Sequence, residues 1–440
     1  MKRDILKAAQ YVLKHPIKSE SEDYKKRYIN TLEYFVNKYS LNDIYSSSML
    51  KLYKNKLLEH PEGYTYQNEE LKRISRGVLK CRMKKFKFFS YRYCLLVDII
   101  FMCSFDDNEK SEKIFQEILI IFSKRHWKKL ETLFNVIVGK SNECEHLDQM
   151  DYLIECIKAN MNFLHKTNRN ILVTANMSAG KSTLLNAVIG KKVNKTQNDA
   201  CTAKTHYLMN KAFEDNLSYE LDYDLELDAS LEILMKDNEK NTSSEIYVGT
   251  RFRSIDDVNI PICFIDTPGV NSSQNKEHRE ISEKDIIESK YEKLMFVLNG
   301  ENIGTDDDRR YLEFVAENYK GNIIFVVNKL DQYRKEDSIP ETLLQVKKDL
   351  EELGYEKPLV CPISAYAAYL AKMNLFDEEL SDDELDELDR FYRKLSKEDF
   401  QLNTYYPTGY QNISVSEDKN QQLLLHSGML SLEKILYEER

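Results

Sequence analysis

Two hydrophobic rhythms divide the chain. As far as residue 165 the apolar positions recur at helical spacing: between Ser111 and Val138, Ile114, Phe115, Ile118, Leu119, Phe122, Trp127, Leu130, Phe134 and Ile137 lie mostly three or four residues apart, which predicts amphipathic helices. Only Pro16, Pro61, Gly63, Gly77 and Gly139 interrupt this part. Its most apolar stretch, Tyr93–Phe105, is too short to span a bilayer and carries Asp98, so a buried helix is expected. From Asn170 the rhythm changes to short continuous runs: ILVT at 171–174, ICFI at 262–265, LMFVL at 294–298, IIFVV at 323–327 and LVCPI at 359–363. Charged, helix-like segments separate most of them. Such runs suit strands buried on both faces, so the expectation is an α/β domain, 166–440, with a mostly parallel sheet flanked by helices. An all-α helical domain, 1–165, precedes it. Insertions are expected at 211–258 and 370–400, the second holding the acidic run DEELSDDELDELDRFYRKLSKED at 377–399, which reads as a solvated helix.

Composition adds a charge asymmetry. Of 63 Lys/Arg and 73 Asp/Glu, residues 1–165 hold 29 and 22, and the remainder holds 34 and 51. The first part is therefore basic and the second strongly acidic. Within the basic part, Leu71–Val97 has nine Lys/Arg, no acid, and interleaved Phe and Tyr. That stretch reads either as contact with anionic lipid or RNA, or as a helix whose aromatics are core and whose cations are solvated or paired with the acidic part. The second reading is favoured, and no strong nucleic-acid signal emerges. Eight scattered cysteines without C-x-x-C spacing indicate neither a zinc site nor a disulfide framework. The start, MKRDILKAAQ, lacks the apolar stretch of a signal peptide. A cytoplasmic setting is expected.

The candidate chemistry lies in the second part. After the ILVT run comes ANMSAGKSTLLNAVIG, Ala175–Gly190. The spacing is that of a phosphate loop between strand and helix, except that Ala175 stands where the pattern G-x-x-x-x-G-K-[ST] has glycine. That position tolerates a methyl group provided φ stays negative. Residues Asn176, Met177, Ser178, Ala179, Gly180, Lys181, Ser182 and Thr183 are the candidate cradle: backbone N–H groups wrap the phosphates, Lys181 reaches the β- and γ-phosphates, and the Ser182 hydroxyl serves Mg²⁺. Asp266, in CFIDTPG, is placed to hold Mg²⁺ through water, and Gly269 offers an N–H to the γ-phosphate. In FVVNKLD, the Asp331 carboxylate can accept from guanine N1–H and N2–H₂, Asn328 can bond the purine edge and neighbouring loops, and the Lys329 stem can lie along the ring. In PISAY, Ser364 precedes Ala365, whose N–H can meet guanine O6. In NDACTAKTHYL, Thr202 is the candidate hydroxyl that reaches Mg²⁺ when the γ-phosphate is present, with Thr205 as the alternative. Four or five such elements in fixed order, mostly after successive strands, imply a Mg²⁺-dependent GTPase binding GTP and GDP.

The segments MSAGKSTLLNAVIG, ACTAK, DTPGVNSS, LNGENIGTDDDRRYL, VVNKLDQ and LLLHSGMLSLEKIL together resemble the dynamin superfamily, particularly bacterial dynamin-like proteins, over residues 166–440. The resemblance implies GTP hydrolysis by two G domains that dimerise across their nucleotides, as a homodimer or with a partner dynamin-like chain, and a helical stalk that self-assembles, often on membranes. An anionic membrane is thus an implied partner, and peripheral membrane attachment an implied location. By position, Ser178 would stabilise the transition state, with a monovalent cation, and Thr202 would orient the attacking water; Ser178, Lys181 and Thr202 are the implied catalytic set. Two departures stand out. Met177 replaces the glutamine of eukaryotic members, and the chain stops at Arg440 where the family continues into a second half of the stalk. Val270 also follows the DTPG turn, where other GTPases place a water-orienting glutamine. The rival expectations are a regulatory GTPase of the ribosome or RNA, using the basic helices, and a non-hydrolysing switch.

Overall fold

The computed structural model describes residues 3–61, 68–80, 88–104, 107–122, 124–141, 150–193, 204–236, 244–270 and 276–438. The chain forms two compact units, one of residues up to Lys166 together with Lys211–Ala229, the other of Thr167–Asn210 and Ser230 onward.

The first unit is helical, with helices at Glu22–Tyr39, Ile44–Leu57, Asn68–Lys80, Phe88–Cys103, Asn108–Ile121, Trp127–Ile137 and Asp151–Leu164. The helical rhythm between Ser111 and Val138 is carried by two of these helices, Asn108–Ile121 and Trp127–Ile137. The stretch around Asp98 is a helix with Tyr93, Leu95, Leu96, Val97 and Ile99 buried. Asp98 is itself fully buried. Its carboxylate accepts from Tyr11 Oη at 2.6 Å, Tyr28 Oη at 2.5 Å and Tyr53 Oη at 3.1 Å, and His15 Nε2 lies 3.1 Å away. Because His15 Nδ1 accepts from the Ile17 N–H, Nε2 carries the proton and donates to Asp98. Four donors thus replace the water that burial removes. Arg92, one of the nine cations of Leu71–Val97, is buried with its guanidinium over the Phe122 ring. Residues 81–87 of that stretch lie outside the described residues.

Residues 211–229 are stitched into the same unit. Ala212 N–H donates to Lys7 O at 3.0 Å, Tyr219 Oη to Ala8 O at 2.9 Å, and Gln10 N–H to Asp215 Oδ2 at 2.7 Å. Lys211 is fully buried; its Nζ meets Asp215 Oδ1 at 2.6 Å and Leu217 O at 3.1 Å, and sits 3.6 Å from the centre of the Tyr219 ring.

The strands in chain order are β1 (Arg169–Ala175), β2 (Thr205–Asn210), β3 (Tyr219–Leu221), β4 (Leu225–Glu226), β5 (Glu245–Thr250), β6 (Ile262–Asp266), β7 (Lys293–Asn299), β8 (Asn322–Asn328) and β9 (Leu359–Pro362). β3 and β4 form an antiparallel hairpin in the helical unit. The second unit is built on the order β5-β2-β6-β1-β7-β8-β9. All five predicted runs are strands, and β6, β1, β7, β8 and β9 run parallel. β2 is antiparallel to β6 and parallel to β5. Pairings such as Val173↔Asp266, Ala175↔Val297 and Asn299↔Asn328 keep the carboxyl ends level. Hence the turns leaving β1, β6, β7, β8 and β9 share one edge of the sheet, where folds of this kind take ligands.

The acidic run is a helix, Asp382–Leu395, opened by a Ser381–Glu384 capping box. Its acidic face is solvated, as expected, while Leu388, Phe391 and Leu395 are buried. The last helix, Met429–Tyr437, is almost wholly buried. Among the described residues no helix is long and apolar enough to cross a membrane.

Candidate nucleotide site

β1 ends at Ala175, which is buried and keeps strand geometry. The positive φ angles of the loop fall later, at Ser178 (63°) and Gly180 (84°). Alanine at the loop entrance therefore meets no backbone obstacle, and the Val270 N–H donates to its carbonyl at 3.1 Å. Gly180 is different. A Cβ there would lie 2.4 Å from Asn328 Nδ2, so both φ and space demand glycine. The helix Lys181–Ile189 follows at once, and its first N–H groups have no intrahelical acceptor, which is the setting for an anion.

The β6 turn is laced to this loop. Asn176 and Val270 form a parallel bridge, and the Met177 N–H donates to Val270 O at 2.9 Å. Gly269 lies against Met177. Lys181 and Asp266 form an ion pair, both side chains nearly buried. Beneath them Thr267 Oγ1 donates to Val173 O at 3.2 Å and to Thr174 Oγ1 at 3.1 Å, and Thr174 bonds Tyr311 Oη at 2.6 Å.

At the other end, the Asn328 amide joins three loops. Its Nδ2 donates to Ala179 O at 2.9 Å and its Oδ1 accepts from the Ala365 N–H at 3.0 Å. Of the two uses expected for Asn328, the loop-bracing one is present, and here the Ala365 N–H is engaged by it. Lys329 adopts φ 66°, which lays its Cε about 4.0 Å from where a Gly180 Cβ would be, and its Nζ reaches Glu301 at 3.5 Å. Asp331 is buried, with Ser364 Oγ donating to Oδ1 at 2.8 Å and Gln332 Nε2 to Oδ2 at 2.7 Å. Burial pushes its carboxyl above the ordinary value, opposed by those hydrogen bonds.

Thr202 lies outside the described residues. The alternative, Thr205, is buried at the start of β2 and donates to Asp285 at 2.6 Å, so its hydroxyl is taken in this state. Three partners were not foreseen from the sequence: Asp308, which accepts from Asn176 Nδ2; Tyr311, closing the threonine network; and Lys394, whose Nζ donates to Asp331 O at 2.6 Å. Asp308 stands in the LNGENIGTDDDRRYL segment, and that acidic helix start, capped by Thr305, was the available signal. Lys394 had none.

The residues fit a magnesium ion held with a nucleotide. Ser182 offers one hydroxyl and Asp266 one carboxylate, and the Lys181–Asp266 pair shows that the carboxylate reaches the phosphate loop. Mg²⁺ takes few protein ligands and completes its shell with phosphate oxygens and water.

The Dynamin family model matches residues 171–330. The probable transmembrane GTPase FZO-like, chloroplastic, of Arabidopsis thaliana is 23% identical over 205 residues, 46% of this chain and 20% of that protein. GTPase Era of Ureaplasma urealyticum serovar 10 is 23% identical over 184 residues, 41% of this chain and 46% of that protein. The chain thus spans less than half the length of either curated relative. Among solved structures, that of an oligomerised bacterial dynamin pair, described as providing long-range sensing and tethering of membranes, covers 96% of this chain and 73% of that chain at 17% identity and a TM-score of 0.38. The family model lies across the phosphate loop, Asp266 and the turn after β8, so residues 171–330 of this chain are similar to the Dynamin family.

Proposed function

We propose that this GTPase binds MgGTP along the carboxyl edge of its sheet and turns over fastest when two copies meet across their nucleotides. The observation that carries the reading is the bracing of the phosphate loop, the Asp331 turn and the Ala365 turn by a single side chain, Asn328. Lys181 and Asp266 neutralise each other before binding. Nucleotide would separate them: Lys181 would turn to the β- and γ-phosphate oxygens, leaving the Asp266 carboxylate and the Ser182 hydroxyl as the groups that would hold Mg²⁺. A bound Mg²⁺ supplies charge neutralisation of the phosphates. Gly269 donates its N–H to the γ-phosphate, Asp331 reads the guanine N1–H and N2–H₂, and the loop N–H groups of residues 176–183 cradle the phosphates.

Water activation must come from elsewhere. Val270 is apolar and buried, with both backbone groups spent on the loop. Met177 offers no polar group. Pairing of two molecules would order the Thr202 loop and present Ser178, with a monovalent cation, to the charge that develops on the phosphates. Turnover per molecule should then rise at least about tenfold as protein concentration increases across the dimerisation range. Light scattering should show dimers with a GDP–aluminium fluoride mimic and monomers with GDP. Flat turnover, with no mass change, rejects pairing while leaving GTP binding intact.

The setting we propose is an anionic membrane surface, supported by the basic balance of residues 1–165. The same basic balance, with the interleaved Phe and Tyr of Leu71–Val97, supports a second reading, association with RNA through these helices. Co-sedimentation with anionic liposomes and with RNA, each with GTP analogue and with GDP, separates the two.

A further inference from the structure

The acidic helix Asp382–Leu395 is anchored at the base end of the nucleotide site. Phe391, buried, meets the Tyr366 ring edge-on at 5.9 Å between centroids, and Tyr366 directly follows Ala365. Three residues on, Lys394 donates to Asp331 O at 2.6 Å and also to Tyr333 O. Its ammonium lies 4.9 Å from the centre of the Phe400 ring. The helix therefore grips both turns that face the base: one through a ring, the other through a cation on two carbonyls. One carbonyl lies within the 3-10 turn Leu330–Gln332 and the other directly after it; the turn is entered through Lys329 at positive φ. That turn aims the Asp331 carboxylate, which is held from the side by Ser364 and Gln332. Burial lowers the affinity of Lys394 for its proton; the two charge-assisted bonds are what it receives in place of water.

We propose that Lys394 is a positioning residue for guanine recognition, and that through it the acidic helix sets base selectivity and the rate of nucleotide release. The inference rests on the site described under the proposed function. Without Lys394, two carbonyls lose a cationic donor and the Asp331 turn is free to reorient. The phosphate end, on Lys181 and Ser182, has no contact with Lys394, so the chemical step is spared.

The test uses the full chain. Release of fluorescently labelled GDP is followed by stopped flow in wild type, Lys394→Met and Lys394→Arg. The ratio of kcat/KM for GTP over ITP, which lacks the exocyclic amino group, is measured alongside. Lys394→Met is expected to release GDP about tenfold faster and to narrow the GTP-over-ITP ratio by a similar factor, while kcat at saturating GTP stays within about twofold. Lys394→Arg, able to bond both carbonyls, should recover most of the loss. Unchanged release and an unchanged ratio in Lys394→Met overturn the proposal, as does equal loss for GTP and ITP, which is the mark of a purely structural role. Should Lys394→Met fail to fold, Lys394→Gln keeps part of the stem and one donor and carries the same expectations. A wild-type protein that does not prefer GTP to ITP or ATP removes the site reading itself, whereas wild-type preference untouched by Lys394→Met removes only this inference.

Discussion

Gly180 and Ala175 sit five residues apart in one loop and obey opposite rules. At Gly180 the backbone is left-handed and a methyl group would collide with Asn328; for an L-residue the conformation alone costs about 1–2 kcal/mol. At Ala175 the backbone is extended strand. Gly180→Ala should therefore weaken GDP binding by at least about tenfold and lower Tm, whereas Ala175→Gly should leave affinity within about twofold. Calorimetric titration and a melting curve check both. Lys181, Asp266 and Asp331 were legible in the sequence because their residue types stand just past apolar runs, and a strand end fixes where such a side chain goes. The bracing role of Asn328 was only half legible, since a sequence does not say that Ala179 and Ala365 flank it. The acidic helix start signalled Asp308 but not its partner Asn176, because helix and loop meet only once β1 and β7 are paired.

The elements divide likewise. The five continuous runs announced β1, β6, β7, β8 and β9 because strands covered on both faces have no polar alternation to disguise them. β5 was missed, since EIYVGT at Glu245–Thr250 holds only three consecutive apolar residues and lay inside what looked like an insertion. The acidic run was legible as a helix but not as a brace, because Leu388, Phe391 and Leu395 are few among many carboxylates. The last helix, Met429–Tyr437, carries Glu433 into the second unit, where it pairs with Lys372. That ammonium is fully buried and also donates to Val188 O at 2.8 Å and Arg253 O at 2.7 Å. Burial depresses its pKa, with Glu433 opposing. The end of the phosphate-loop helix is thus tied to the last helix through one cation. Glu433→Ala leaves that charge without its counter-ion and should destabilise the second unit by about 3–5 kcal/mol. A shift in the urea midpoint reports it, and a change under about 1 kcal/mol would contradict the account.

At the scale of the molecule the chain passes between its two units three times, at Lys166, after Asn210 and after Ala229. Nothing local in 211–229 signals this, because its partners Lys7, Ala8 and Gln10 lie about two hundred residues earlier in sequence. A G domain prepared by cutting before Thr167 keeps Lys211 and Tyr219 but loses the residues that cover them. Such a shortened protein should be poorly soluble and bind the hydrophobic dye ANS strongly, unlike the full chain. A soluble, dye-silent fragment with native GDP affinity would show that the seam is dispensable.

The seam at 211–229 also limits how this protein can exchange parts with its relatives. A helical unit assembled from two separate stretches of gene is not a cassette, and recombination at a single breakpoint near Lys166 would leave an orphaned patch from the other parent. Chimeras should succeed only when residues 1–166 and 211–229 travel together.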